Sequence, residues 1–480
     1  MEIKLLIDGV EKEAGNKKTF DNINPLNGEV ICKVPMGEFA DFEEAGQAAK
    51  AAQTEWADVP LYRRMDIYDK FIGLVKGNLE NIAQVMAAEG GKVITEARGE
   101  LECLCVIFEA YKEAARNFYG HSIPINAEPR TENDLLVTIR EPVGVIMTIT
   151  PFNFPVELYA HKVAPALITG NAVIIKPASD TPVSAFMLTK LLHEAGIPKA
   201  AAQYVTGSGR EVGNWLARTK TVDSVTFTGS TEVGIEVMRG GADNLQRVFL
   251  ELGGNDPFVV FADSDLDLSV NEAAGGRCWN TGQTCCANKR FIIENSIKDK
   301  FTEMLVEKLK TFPVGDPADG NNLMGPLVSE KAAVLAEEQV EFTVNQGAKC
   351  ILGGKRNGSF FPATVLTDVT PDMDIMKDLE IFAPVFPIIG FDTFDEAVEI
   401  SNQTSYGLAS GVMTDNTQKA MRYARAVKAG TCVINGNGNY RSVHQPFGGY
   451  KHSGIGREGT TQTLYEVTQE KTIVMKKIFE

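Results

Sequence analysis

The spacing of apolar residues changes along the chain, and each change predicts a different kind of structure. The first 35 residues alternate apolar and polar positions around Asp-Gly at 8–9 and Asn-Gly at 27–28, which predicts two β-hairpins. From about residue 40 to 120 apolar residues recur every three or four positions, which predicts amphipathic helices. From about residue 140 apolar, β-branched runs alternate with helical segments. This alternation predicts βαβ units, and therefore an α/β fold with parallel strands and helices on both faces.

Two series of strand candidates lie on either side of a break in the pattern near residue 253. The first series comprises 143–149, 172–175, 202–205, 224–228 and 248–252, and the second 257–261, 290–293, 385–390 and 430–434. Asn255-Asp256-Pro257 interrupts the chain between them, so we predict a domain boundary near 253. Residues 472–475 form a short apolar run in the polar tail, which fits an edge strand or a strand that docks on a neighbouring subunit.

Composition and charge exclude several classes of function. The chain has 480 residues, of which 44% are hydrophobic and 23% charged, which is typical of a globular protein of two or three domains. Its net charge of −16 opposes binding to a phosphate backbone, so we expect no nucleic-acid partner. No apolar run approaches the roughly 20 residues of a membrane helix, and the first residues lack the order of a signal peptide. We therefore expect a cytoplasmic protein with no membrane partner.

The eight cysteines are scattered, and no Cys-x-x-Cys or His-x-x-His pair is present. This spacing predicts neither a structural metal site nor a disulfide framework. The adjacent pair Cys285-Cys286 stands out, because thiols in a reducing compartment are core residues or nucleophiles.

Three segments are candidates for binding a cofactor. The glycine-rich segment 207–213 departs from the spacing of a dinucleotide fingerprint, which favours a simple turn. Gly229 and Ser230 follow a strand candidate and open a helix that contains Gly234, an arrangement that directs free backbone N–H groups at an anion. Lys176 ends another strand candidate, where open α/β sheets hold ligands, although a solvated loop charge is the alternative.

Two residues are candidates for catalysis. Glu251 ends an apolar strand, where burial raises the pKa of a carboxyl group toward that of a general base, and the glycines at 253–254 allow another segment to approach closely. Cys285 follows a tight Gly-Gln-Thr segment. The sequence alone does not place Cys285 beside Glu251, and a buried inert thiol is the alternative.

Seven segments together resemble the aldehyde dehydrogenase superfamily, and the resemblance spans nearly the whole chain. They are Glu251-Leu-Gly-Gly, Gly282-Gln-Thr-Cys285, Pro151-Phe-Asn153-Phe-Pro155, Ile175-Lys176-Pro-Ala, Gly229-Ser-Thr-x-x-Gly234, Glu380-Ile-Phe382-Ala-Pro384 and Pro446-Phe-Gly-Gly. The resemblance implies a Rossmann-like cofactor domain at 1–118 and 141–253, and an α/β catalytic domain at 254–458. It also implies a small β bridging element at 119–140 and 459–480, which joins subunits in a homodimer or homotetramer.

The resemblance further implies NAD- or NADP-dependent oxidation of a small aldehyde to a carboxylic acid, through a thioester on Cys285. Asn153 and the Cys285 backbone N–H would form the oxyanion hole, and Glu251 would activate the deacylating water. Glu458 matches a second carboxylate of the family, for which the resemblance implies a role in a proton relay. The cofactor residues implied are Lys176 and Glu380 for ribose hydroxyls, Phe382 beside the nicotinamide, and Ser230 with Gly229 and Gly234 at the pyrophosphate.

The expected preferences for substrate and for cofactor each depend on only a few residues. The run Glu-Leu-Gly-Gly-Asn-Asp-Pro at 251–257 and Tyr440-Arg441 before the Pro446 motif resemble the branch of the family that oxidises lactaldehyde, phosphonoacetaldehyde and related short polar or anionic aldehydes. With His161, Arg290 and Arg441 as candidate substrate residues, this resemblance implies a short hydroxylated or anionic aldehyde, such as lactaldehyde, glyceraldehyde 3-phosphate or a sulfonated analogue, with succinate semialdehyde as the alternative. The alternative for the two arginines is that Arg290 packs against the cofactor domain and Arg441 pairs with a surface carboxylate. Ser179, a neutral residue where NAD-selective relatives often carry Glu, predicts that NADP is accepted alongside NAD. A coenzyme A-acylating relative and an inactive binding protein on the same fold remain competing hypotheses.

Overall fold

The computed structural model describes residues 2–125 and 128–480, which form twenty strands and thirteen α-helices. The strands are β1 (Leu5–Ile7), β2 (Val10–Lys12), β3 (Thr19–Ile23), β4 (Val30–Pro35), β5 (Ser122–Ile123), β6 (Leu135–Pro142), β7 (Val145–Ile149), β8 (Ala172–Lys176), β9 (Ala202–Tyr204), β10 (Ser224–Thr228), β11 (Arg247–Glu251), β12 (Asp256–Val260), β13 (Asn288–Glu294), β14 (Lys349–Leu352), β15 (Thr364–Thr367), β16 (Val385–Phe391), β17 (Gly411–Met413), β18 (Val433–Ile434), β19 (Gly454–Ile455) and β20 (Thr468–Met475).

The helices cover both faces of the two large sheets. They are α1 (Phe39–Asp58), α2 (Leu61–Gly90), α3 (Ile94–Arg116), α4 (Glu157–Ile168), α5 (Pro182–Ala195), α6 (Gly209–Leu216), α7 (Thr231–Ala242), α8 (Leu266–Cys278), α9 (Asn295–Lys310), α10 (Glu330–Asn345), α11 (Phe394–Asn402), α12 (Thr417–Ala426) and α13 (Thr460–Glu466).

The two predicted hairpins are confirmed. Strands β1 and β2 pair antiparallel around Asp8 and Gly9, whose φ angles of 50° and 78° are those of a tight hairpin turn. Strands β3 and β4 pair antiparallel on either side of Asn27 and Gly28. A short connection with residues that tolerate positive φ is a local signal, which is why the sequence predicts it well.

The first large sheet has the order β19-β11-β10-β7-β8-β9-β1-β2. Its centre, from β11 to β9, is parallel, because a helix crosses back over the sheet between each pair of strands that follow one another in sequence from β7 to β11. Strands β7 and β8 are fully buried and apolar, as parallel strands between two helical layers are expected to be.

The second large sheet has the order β14-β15-β16-β13-β12-β17-β18 and begins directly after the first. The chain passes from one sheet to the other between Glu251 and Asp256, and the predicted boundary at 253 lies in this connection. Strand β18 is shorter than predicted and covers only Val433–Ile434, because Gly430 packs directly against the backbone of Gly448.

One return of the chain crosses the predicted domain limits, and another joins the two parts of the predicted bridging element. Strand β19, near the end of the predicted catalytic segment, pairs antiparallel with β11 of the first sheet, so that Gly454 lies opposite Glu251. The tail strand β20 pairs with β6 along its whole length, and β5 completes this three-stranded sheet. No helix in the described ranges is long and apolar enough to cross a membrane.

Candidate active site

Four of the predicted site residues lie at the carboxyl ends of neighbouring parallel strands. Glu251 ends β11, Gly229 follows β10, Asn153 follows β7 and Lys176 ends β8. The strand register pairs Thr228 with Glu251 and Ile149 with Lys176, so these ends form one edge of the sheet. Ligands of open α/β sheets bind at such an edge, which makes it the place to look for a cofactor and a reaction centre.

The nucleophile segment is a tight turn that follows helix α8. Asn280 and Thr281 have φ angles of 49° and 53°, so the turn holds two non-glycine residues in the left-handed region. The buried guanidinium of Arg277 stabilises this turn by donating to the carbonyl oxygens of Gly282, Val385 and Ile381. Strain of this kind persists only where the surroundings hold it, and it is typical of functional segments.

Asn280 joins the nucleophile segment to the Asn153 segment. Its side-chain amide donates to the carbonyl oxygen of Asn153 at 2.9 Å and to that of Gln283 at 3.1 Å. Its backbone N–H donates to the Glu96 carboxylate at 3.1 Å. The Asn153 side chain is 5% exposed and lines a small cavity together with Asn280 and Gln283. The Asn280 side-chain amide therefore links the segment that carries Asn153 to the segment that carries Cys285.

In the structure Cys285 and Glu251 lie beside each other, a proximity that the sequence alone does not establish. Hydrogen bonding to Cys286 and burial raise the pKa of the Cys285 thiol well above its usual value. Burial, the neighbouring Cys285 and the charge of Glu458 raise the pKa of Glu251 well above that of an ordinary carboxyl group. Neither Glu251 oxygen has a hydrogen-bond partner within the described part of the chain. A buried carboxyl group with free oxygens and a raised pKa is suited to accept a proton.

The two glycines after Glu251 permit this approach, as predicted. A Cβ on Gly254 would lie 3.0 Å from the Cys285 carbonyl oxygen, and a Cβ on Gly253 would clash with the carboxylate of Glu380. Glu380 in turn pairs with Lys289 Nζ at 3.2 Å and accepts from the Gly254 N–H at 3.3 Å. Any larger residue at 253 or 254 would push the nucleophile segment or Glu380 away from the site.

The predicted cofactor residues surround the same edge. Ser230 caps helix α7 by accepting from the Val233 N–H at 3.4 Å, and a Cβ on Gly234 would clash with Leu252. Phe382 packs at 5.9 Å, edge to face, against Phe152, the neighbour of Asn153. Burial lowers the pKa of Lys176 to about 8, an effect that the charge of Asp180 opposes. Ser179 is exposed in the loop after β8.

Glu458 lies at the centre of a second, paired cluster of charges. Its carboxylate contacts Lys162 Nζ at 3.0 Å and the Arg441 guanidinium at 2.6 Å. Burial alone would raise the pKa of Glu458, but Lys162 and Arg441 hold it well below its usual range. Strand β19 brings this residue to the edge of the first sheet, near Glu251.

His161 and Arg441 lie together beside this cluster. Arg441 Nη1 lies 3.8 Å from Glu157 Oε1, and its guanidinium lies 4.2 Å from the centre of the Phe447 ring. His161 is 2% exposed, and burial together with the nearby Arg441 lowers its pKa well below the usual value, which keeps the imidazole neutral. Phe447 packs with Cys286, and Cys285 contacts the same small apolar cluster. The cluster around Arg441 therefore adjoins the small apolar cluster that the nucleophile contacts.

Arg290 does not belong to this site, so its predicted contact with substrate is wrong. The residue is fully buried in the second sheet. Its guanidinium donates to four backbone carbonyl oxygens, those of Asn255, Met376, Ile400 and Ser401, at 2.6 to 3.1 Å. These bonds occupy the group completely in a structural role.

Sequence reasoning missed several residues of the site. Lys162 and Glu157 lie on α4, Lys289 follows the nucleophile, and Asn280 precedes it. One signal was available for Lys162, because α4 is mostly apolar and a cation on a buried helix needs a buried acid. The contacts of Lys289 and Asn280 depend on segments distant in sequence and gave no local signal.

Comparison with known proteins agrees with this geometry. Residues 11–473 match the model of the aldehyde dehydrogenase family. The chain is 39% identical to the 3-sulfolactaldehyde dehydrogenase of Priestia aryabhattai over 86% of each chain. It is 37% identical to a probable NADP-dependent succinate-semialdehyde dehydrogenase of Sinorhizobium fredii, over 95% of this chain and 93% of the other. A structure of Staphylococcus aureus betaine aldehyde dehydrogenase with bound NAD+ superposes with a TM-score of 0.95 at 34% identity, covering 99% of this chain and 96% of the other. The chain belongs to the aldehyde dehydrogenase family.

Proposed function

We propose that this enzyme oxidises a short aldehyde to its carboxylic acid by covalent catalysis on Cys285, with hydrolysis driven by Glu251. The observation that carries the proposal is the position of Cys285 between a buried carboxyl group with free oxygens and the segment that holds Asn153. The Cys285 thiol gives its proton to water and its sulfur adds to the aldehyde carbon, and the Asn153 side-chain amide with the Cys285 backbone N–H stabilises the oxyanion. Glu251 then removes a proton from the water that hydrolyses the thioester.

The cofactor is NAD or NADP, and the residues present fit it. A buried lysine, a helix N-terminus capped by Ser230, and a carboxylate held by Lys289 lie along one sheet edge. Lys176 and Glu380 would hold ribose hydroxyls, Ser230 would hold the pyrophosphate, and Phe382 would flank the nicotinamide. When bound, the nicotinamide accepts the hydride that the substrate carbon loses.

Cofactor preference depends on the loop after Lys176. Because Ser179 is neutral and exposed, a 2′-phosphate meets no carboxylate at that position and can pair with Lys176. We expect Ser179→Glu to lower the NADP-to-NAD efficiency ratio by about tenfold, which is roughly 1.4 kcal/mol. Asp180→Asn removes a charge next to Lys176 and should move the ratio the other way. An unchanged ratio in both variants would contradict this account.

For the substrate, we infer a short aldehyde with hydroxyl or anionic groups. Arg441 stacks on Phe447, and Phe447 belongs to the apolar cluster that Cys285 contacts, so a short aldehyde bound at Cys285 would bring its far end toward Arg441. A sulfonate, phosphate or carboxylate at the far end can pair with the Arg441 guanidinium, and a hydroxyl can donate to Glu157 or Glu458. The relatives named for 3-sulfolactaldehyde and succinate semialdehyde support an anionic substrate, and the second is the alternative.

A turnover screen tests both parts of this proposal. We expect 3-sulfolactaldehyde, glyceraldehyde 3-phosphate or lactaldehyde to be oxidised more efficiently than hexanal or benzaldehyde, with succinate semialdehyde as the direct competitor. Arg441→Ala should raise the KM for an anionic aldehyde by roughly tenfold or more and leave the KM for propanal nearly unchanged, since only the former loses a charge-assisted contact. Arg239→Ala, an exposed arginine paired with Glu236, is the matched control.

Product analysis with and without coenzyme A separates the hydrolytic reaction from its competitors. Free acid formed at the same rate in both conditions supports hydrolysis. An acyl-coenzyme A product would instead identify the acylating reaction, and absence of turnover would identify an inactive protein. The raised pKa of Glu251 favours hydrolysis, because it supplies a base for the water.

We infer that the tail sheet joins subunits in a homodimer or homotetramer. Strand β20 lies at the edge of its sheet and exposes Ile473, Val474 and Met475 by 38%, 52% and 37%. An apolar edge strand of this kind favours pairing with another chain. Light scattering should give a mass of two or four chains, and Val474→Glu should reduce it.

A further inference from the structure

Lys289 is a buried cation directly beside the nucleophile segment. It is the second residue of β13, it follows Cys285 by four positions, and its side chain is 2% exposed. A buried ammonium group loses its hydration, so it is stable only where polar groups of the protein replace the water. The partners of Lys289 therefore indicate what its charge does in this place.

The Lys289 ammonium group has three acceptors, which match its three N–H donors. It donates to the carbonyl oxygen of Cys285 and, at 3.3 Å, to that of Ala287. It also pairs with Glu380 Oε1 at 3.2 Å. One cation thus contacts the backbone of the nucleophile and a carboxylate that is proposed to bind the cofactor.

Toward the nucleophile, Lys289 acts through both its hydrogen bond and its charge. The bond to the Cys285 carbonyl oxygen holds the peptide that follows the nucleophile in one orientation. Hydrogen bonding to Cys286 and burial raise the pKa of the Cys285 thiol, and the charge of Lys289 opposes this rise. Cys286 and Glu251 are the other ionisable groups that act on this thiol, and neither is a cation. Loss of the Lys289 charge should therefore raise the pKa of Cys285 further.

Toward the cofactor, Lys289 holds one oxygen of Glu380 and leaves the other free. Oε1 of Glu380 accepts from the Gly254 N–H at 3.3 Å and pairs with Lys289. No described residue donates a hydrogen bond to Oε2, so this oxygen is available for a ribose hydroxyl. The Lys289 Nζ also lies 5.9 Å from the centre of the Phe382 ring, which is proposed to flank the nicotinamide.

Asp256, the first residue of β12, is a further acid that senses the charge of Lys289. Burial raises the pKa of Asp256 to about 7, and the charges of Lys289 and Arg290 oppose this rise. Its Oδ2 has no hydrogen-bond partner among the described residues. Arg290 makes its own hydrogen bonds to backbone carbonyl oxygens, so Lys289 is the cation that Asp256 shares with Glu380 and the thiol.

We propose that Lys289 is a positioning residue for both halves of the active site, because its one ammonium group holds Cys285 for attack and Glu380 for the ribose of the cofactor. The proposal rests on the proposed function above, in which Cys285 is the nucleophile and Glu380 binds ribose hydroxyls. Lys289 acts through these two residues and not by contact with the reacting atoms.

Alkylation of Cys285 in Lys289→Met tests the nucleophile half without aldehyde or cofactor. Methionine keeps the length of the side chain and removes the charge. The rate of reaction with iodoacetamide should be followed across the alkaline pH range by tandem mass spectrometry of the peptide that carries Cys285 and Cys286. We expect the midpoint of the pH profile to rise by about one unit, so that alkylation below the midpoint is about tenfold slower. Asp256 is already ionised in this range and does not contribute to the shift.

A double-mutant cycle tests the cofactor half by binding alone. Fluorescence titration gives the Kd for NADH and NADPH in Lys289→Met, in Glu380→Gln and in the double variant. Each single change should weaken binding by about tenfold, and the double variant should bind no more weakly than Glu380→Gln, because Lys289 acts through Glu380. Losses that simply add would overturn this half of the proposal. Unchanged binding in Glu380→Gln would instead overturn the ribose role of Glu380 in the proposed function, whatever the alkylation profile shows.

Three further variants separate positioning from a general loss of structure. Lys289→Arg keeps a cation and should return the alkylation midpoint toward that of the unmodified enzyme. Lys289→Gln keeps a donor for the Cys285 carbonyl oxygen without the charge, and it replaces Lys289→Met if that variant does not fold. Lys112→Met removes another buried lysine, which pairs with Asp69 and Glu109, and should change neither the midpoint nor the Kd. An unshifted midpoint in the neutral variants would overturn the proposal even if the rate fell, because a loss of packing lowers a rate without moving a titration.

Discussion

Two buried groups of ionisable residues lie side by side in this enzyme, and they are built in opposite ways. Around Glu458, two carboxylates and two cations pair at 2.6 to 3.8 Å, and the pKa of Glu458 is strongly lowered. Around Cys285 and Glu251, both pKa values are strongly raised, and the Glu251 oxygens have no partner in the described ranges. Pairing keeps a group charged, whereas burial without pairing leaves a group able to exchange a proton.

The largest expected effect separates the two adjacent thiols. Cys285→Ala should lower aldehyde oxidation by at least about a thousandfold, because no other group can form the thioester. Cys286→Ala should retain most activity, because the Cys286 thiol packs with Leu408, Ala409 and Phe447 and donates to Asn439. Initial rates of both variants are the measurement. Equal losses of activity in the two variants would contradict the assignment of Cys285 as the nucleophile.

The next effect concerns the unpaired carboxyl group. Glu251→Gln should slow steady-state oxidation by roughly 10² to 10⁴-fold, since the thioester loses its base. The single-turnover burst of reduced nicotinamide should persist, because acylation precedes that step. Stopped-flow fluorescence measures both. A burst that disappeared together with the steady state would mean that Glu251 acts on the Cys285 thiol instead.

The paired cluster should respond in stability. Glu458→Gln leaves Lys162 buried without a carboxylate partner and Arg441 with Glu157 alone, which should cost about 3 to 5 kcal/mol of unfolding free energy at neutral pH. Because the pKa of Glu458 is lowered in the folded state, this contribution is present above the ordinary carboxyl pKa and is lost as pH falls. Urea titrations at pH 7 and pH 4 measure the difference, with Glu470→Gln, which removes an exposed carboxylate from β20, as control. If the difference in unfolding free energy between Glu458→Gln and the unmodified enzyme did not shrink at pH 4, the pairing of Glu458 with Lys162 and Arg441 would be contradicted.

The smallest expected effect has the opposite sign. Because the pKa of Glu251 is raised in the folded state, the folded protein keeps a proton on this residue at pH values where the unfolded chain has released it. Glu251 therefore lowers the free energy of unfolding as pH rises above the ordinary carboxyl pKa. Glu251→Gln removes that dependence. Between the ordinary carboxyl pKa and the raised folded-state pKa, the variant should gain stability relative to the unmodified enzyme as pH rises, by up to about 1.4 kcal/mol per pH unit. Thermal unfolding across this range would sharpen the comparison, and a constant difference would argue for a hydrogen-bonded, ionised Glu251.

Local patterns predicted much of the fold and part of the site. The hairpins followed from turn residues, and the parallel strands followed from apolar runs between helical segments. Since the carboxyl ends of parallel strands share one edge, Lys176, Asn153, Gly229 and Glu251 could be expected to lie together once the sheet was predicted. The glycines at 253–254 were likewise interpretable, because a close approach leaves no room for a Cβ.

Contacts between distant segments were not predictable in this way. Arg290 and Arg441 are both arginines near a family motif, yet four backbone carbonyls bind the first and two carboxylates the second. Strand β19 crosses the predicted domain limit to bring Glu458 to Glu251.

The sequence by itself thus determined the identity of the elements, the strand ends that carry the chemistry, and the family resemblance of the nucleophile and base. The tertiary structure decided which buried charges are paired and which are free. The physical reason is that secondary structure depends on the backbone and on side-chain periodicity within a segment. A pKa depends on the distance to charges and on access to water, and for Glu251 and Glu458 both are set by segments far apart in the chain.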